Sequence, residues 1–186
     1  MRTALAGACL ALNLGFASCS QNVSDTVAEE FGAGVAESAR SITATQLLET
    51  TKWPDDLNLV ALSPTALRQL QRSILGDVEM ARAVSDVAAA GFLSESEVAG
   101  AVLLIGVNDP VVGNMSFVEG VRRSALDNAS PARWGALLGW VSSLNGDTLA
   151  IVPIGPVVVF ATASSRVHVD RILMPLIARF VTYSNS

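Results

Sequence analysis

The sequence is poor in the side chains from which most chemical sites are built. Its 186 residues include two cysteines, one histidine and one tyrosine, and Lys52 is the single lysine among 12 basic residues. Cys9 and Cys19 have no partner further along the chain, so no disulfide framework holds the domain. There is no Cys-x-x-Cys pair and His168 stands alone, which argues against soft-ligand metal centres; no cofactor is implied. Acidic residues outnumber basic ones and the formal net charge is −5. Such a chain repels phosphate backbones, so nucleic acid is not an expected partner. No Gly-Lys-Ser/Thr phosphate loop and no Gly-x-Ser-x-Gly nucleophile elbow occurs. The longest apolar run of the later chain, Leu149 to Ala163, is 15 residues and contains Pro153 and Pro156, too short and too broken for a membrane helix. Repeats and low-complexity tracts are absent too.

What the chain does have is apolar mass. At 51% apolar and 16% charged it can bury a core, and its length fits one domain plus a short targeting segment. The targeting segment reads directly from "MRTALAGACLALNLGFASC". Arg2 supplies a positive start, Thr3 to Phe16 an apolar stretch interrupted only by Asn13, and Ala17 and Ser18 the small residues of a cleavage site.

Phe16-Ala17-Ser18-Cys19 resembles the lipobox of bacterial lipoprotein precursors. That resemblance implies that the sulfur of Cys19 receives a diacylglyceryl group, that the signal is cut just before it, and that the new amine is acylated. It further implies sorting to the outer membrane of a diderm host, since Ser20 rather than aspartate follows. A conventional secretory signal, cut by a small-residue rule at Gly15-Phe16-Ala17 or Ala17-Ser18-Cys19, is the alternative. An exported protein gains from having no unpaired thiol, which favours acylation of Cys19. The expected organisation is a signal peptide over 1–18, a lipidated tether over 19–24 and a single domain over 25–186.

Within that domain the pattern predicts an α+β fold, mainly helical, with a small strand element that includes a C-terminal β-hairpin. Val27, Phe31, Val35 and Ile42 have roughly helical spacing behind a Thr26/Glu29 capping box, with Gly32 and Gly34 weakening the helix. Trp53-Pro54 stops it. "LNLVAL" at 57–62 reads as a strand, and Ser63-Pro64 starts a helix whose Leu67, Leu70 and Ile74 share a face. Further helices are expected through Val78, Ala81, Val84 and Ala88 to a stop at Gly91, from a Ser94/Glu97 capping box, from a Ser116/Glu119 capping box, and from Ser130-Pro131 to Asn145-Gly146 with a Trp134, Leu137, Leu138, Val141, Leu144 stripe. Strands are expected at 148–153 and 157–163, joined at Gly155. The last segment should be a helix kinked at Pro175.

Few residues suggest chemistry. Ser164, Ser165, His168 and Asp170 include the members of a hydrolytic triad, but closeness in sequence does not supply triad geometry, and a polar loop leading into a helix explains them more simply. Asp55 and Asp56 could bind calcium or work as acid and base, yet no calcium-loop pattern follows and a solvated turn accounts for them. Gly106 and Gly113 match no phosphate-loop spacing and suggest turns. Asn22, Asn114 and Asn128 open Asn-x-Ser triplets that matter only in a eukaryote. Trp53, Trp134 and Trp140 read as core or partner-facing anchors.

The leading expectation is therefore an envelope lipoprotein, anchored to membrane lipid through acylated Cys19, facing the periplasm or the surface and acting as a binding or structural module, possible protein partner included. The alternatives are a periplasmic hydrolase using a serine, His168 and an aspartate, and a secreted membrane-active effector.

Overall fold

Alanine recurs through "SDVAAAGFLSESEVAGAVLLIG" and favours helix, yet this stretch forms the longest β-hairpin among the described residues. The structure, a computed structural model, describes residues 42–75, 83–108, 128–144 and 146–184. In chain order these form helix α1 (Ala44–Thr50), strand β1 (Asn58–Ala61), helix α2 (Pro64–Leu75), strands β2 (Val84–Ser94), β3 (Glu97–Val107), β4 (Ser130–Trp134), β5 (Leu137–Leu144), β6 (Asp147–Ile154) and β7 (Val157–Ala163), and helix α3 (Arg166–Ser184). The strands make one seven-stranded sheet in the order β1-β2-β3-β7-β6-β5-β4, with every neighbouring pair antiparallel.

This corrects the expectation of a mainly helical body. The segments expected to be helical through Val84 and Ala88, from Ser94/Glu97, and from Ser130 to Gly146 are β2, β3 and the β4–β5 hairpin. The physical reason is burial on both faces. Leu104 and Val102 pack on one side of β3 while Leu103 and Ile105 pack on the other. A strand apolar on both sides lacks polar alternation and imitates a buried helix. The strands expected at 57–62, 148–153 and 157–163 are β1, β6 and β7, but they belong to a large sheet rather than a small element. The readings at Thr26/Glu29 and Ser116/Glu119 lie outside the described residues.

The first face of the sheet carries the larger core. Ala88, Ala90 and Phe92 of β2, Leu104 of β3, Val152 of β6 and Val159 of β7 meet Val169, Ile172, Leu173, Leu176, Ile177 and Phe180 of α3, with Ala44 and Leu47 of α1. Small Ala88 and Ala90 leave room for these helices. Fully burying a leucine or isoleucine contributes roughly 1.5–3 kcal/mol, so this α3 face is a main source of stability. The second face is a separate cluster containing Val87, Ile105, Ile151, Val158 and Phe160. Trp134 joins the first cluster and Trp140 the second, so these two tryptophans lie on opposite faces. Trp53 rests on Phe92 with ring centroids 4.7 Å apart.

Local signals set the helix ends. Thr43 and Gln46 form a reciprocal capping box at α1. Ser63 caps α2, its hydroxyl accepting from Ala66 N–H at 3.2 Å. α3 runs through Pro175. Among the described residues no helix is long and apolar enough to cross a membrane. The apolar run from Leu149 to Ala163 instead supplies β6 and β7, largely buried within the sheet. Pro153 is tolerated there because β5 pairs with β6 no further than Ile151.

Candidate functional site

The β2–β3 hairpin turns through Glu95 and Ser96, with φ of 50° and 73°. Two residues in left-handed conformation match the twist of a tight antiparallel hairpin, although Asn-Gly is the usual pair. The Ser94-x-x-Glu97 spacing that imitates a capping box therefore brackets a turn.

This turn lies beside the start of α3. Between them is a cleft of about 350 Å³, lined by Leu57, Ser94, Glu95, Glu97, Val98, Ala99, Ser164, His168, Arg171 and Ile172. Arg171 donates to the Asp56 carboxylate, closing the side next to the Pro54–Leu57 turn. The hydrogen bond from Arg171 holds the Asp56 carboxyl below its ordinary range. Both groups are exposed, so this pair locates the turn rather than stabilising the fold strongly.

The structure brings together part of the triad and separates the rest. Ser164 Oγ and Ser165 Oγ lie 3.0 Å and 3.2 Å from His168 Nδ1. These contacts belong to the helix start. Ser165 precedes α3, its carbonyl accepts from Val169 N–H at 3.0 Å, and its hydroxyl accepts from His168 N–H at 3.4 Å. Asp170 does not join them. Its Oδ1 accepts from Trp134 Nε1 at 2.6 Å and from Arg166 Nε at 2.8 Å. The Arg166 guanidinium in turn stacks 4.1 Å from the Trp134 ring centroid. Two residues on from His168 in a helix, Asp170 projects to a different side. It fastens the β4–β5 hairpin to α3.

The other sequence candidates are structural where they are described. Asp55 and Asp56 form a turn, and Asp56 alone has an ion-pair partner given by geometry, Arg171. Gly106 is in the middle of the sheet, not in a turn: it pairs with Asp86, and a Cβ there would collide with the Asp86 carboxylate. Asn128 is exposed. Cys19, Asn22, Gly113 and Asn114 lie outside the described residues. Among the described residues no three His, Cys, Asp or Glu side chains are grouped so as to hold a metal ion.

Comparison of the chain with protein-family models, curated proteins and solved structures gives no match. The site is therefore described by its own chemistry: a shallow polar cleft with two carboxylates, one imidazole flanked by serines, and an arginine already paired. Glu95 and Glu97 are the residues that sequence reading missed as site members. The signal was the "SESE" stretch, a polar island between two apolar runs that a hairpin would produce.

Proposed function

We propose that this chain is an exported envelope lipoprotein, held to membrane lipid through acylated Cys19, whose sheet domain serves as a binding or structural module. The observation that carries the proposal is Phe16-Ala17-Ser18-Cys19 directly behind an apolar run with Arg2 before it. The surface where a polar ligand or a protein partner would seat is the cleft between Glu95, Glu97, His168 and Arg171.

Two features of the domain support this reading over its alternatives. The serine–His168–aspartate arrangement needs Asp170 on the imidazole, and Asp170 is committed to Trp134 and Arg166. A membrane-active hairpin requires an apolar segment able to leave the domain, and residues 149–163 form two adjoining strands at the centre of the sheet.

Fractionation tests the proposal. Expressed in a diderm bacterium, the wild-type chain should enter the detergent-rich phase of a detergent phase separation and sediment with outer membranes. Cys19→Ala should accumulate as precursor or appear in the soluble fraction. A wild-type protein in the soluble fraction, or a Cys19→Ala protein that fractionates like wild type, contradicts the proposal.

A further inference from the structure

We draw no further inference here: the strongest candidate, the cleft between the β2–β3 turn and the start of α3, belongs to the site already described, and beyond that site it offers only the exposed carboxylates of Glu95 and Glu97 beside a helix N-terminus, the buried residues that line it, Leu57 and Ile172, being apolar and naming no ligand.

Discussion

The ring of Phe180 lies where a side chain on Gly155 would have to be. Gly155 turns the chain from β6 into β7 with φ of 57°, and Phe180 is a buried residue of α3. The tightest turn at the sheet centre and the helix that covers it are thus fitted to each other. Gly155→Ala should destabilise the domain by about 2–4 kcal/mol, combining left-handed strain with overpacking. Phe180→Ala should cost about 3–5 kcal/mol through its cavity. The double variant should lose less than the sum, because removing the ring opens the space that the new methyl needs. Urea unfolding of the four proteins measures this coupling.

A second close approach joins β2 to α1 beside Gly106 of β3. The Asp86 carboxylate on β2 accepts from Ala44 N–H at 3.1 Å and Thr45 N–H at 2.9 Å, and the missing side chain of Gly106 lets it reach them. Asp86→Ala should cost about 1–2 kcal/mol, the range for loss of a helix cap. It should also raise hydrogen exchange at Ala44 and Thr45. Gly106→Ala should reproduce that exchange signature without touching Asp86, since it displaces the carboxylate.

Asp170 is expected to matter for stability and not for His168. Asp170→Ala leaves the Trp134 indole N–H without its acceptor and should destabilise by about 1–3 kcal/mol. The nitrogen chemical shifts of the His168 ring should stay as in wild type. A change of tautomer in that variant would show that the carboxylate acts on the imidazole after all.

The Asp56–Arg171 pair makes a pH-dependent contribution whose sign is fixed. The native Asp56 carboxyl titrates below its ordinary 3.8, held down first by the hydrogen bond from Arg171. Its contribution is therefore present above that ordinary value and is lost as pH falls through the lowered native one. Arg171→Gln should move the Asp56 titration up towards 3.8, read by carboxyl carbon shifts. Added salt should shrink the difference, since the pair is exposed.

Legibility of the sequence followed the kind of signal each element carries. Ser63-Pro64 marks a helix start by chemistry that hardly depends on surroundings, and α2 begins there. Gly155 between two β-branched runs marks a hairpin just as locally. By contrast, Ala88 and Ala90 are strand residues because α1 and α3 cover them, a tertiary fact absent from their own neighbourhood. Ser94 and Glu97 satisfy the spacing of a helix cap, and only the pairing of Leu93 with Val98 across the turn shows that they bracket a hairpin. Their misreading hid the cleft, because Glu95 and Glu97 reach α3 only once the hairpin forms. The local closeness of Ser164, Ser165 and His168 was visible, whereas the commitment of Asp170 to Trp134, far off in sequence, was not.

The proposal that most organises this chain is the lipid on Cys19. Intact mass spectrometry of the protein purified from whole cells reads it directly. The account predicts a mature terminus at Cys19 carrying a diacylglyceryl thioether and an acylated amine. Three acyl chains, at about 0.8 kcal/mol per buried CH₂, would hold the domain firmly at the membrane where one chain would not. A mature protein that begins at Ser20, or one that retains Cys19 as a free thiol, would contradict the account.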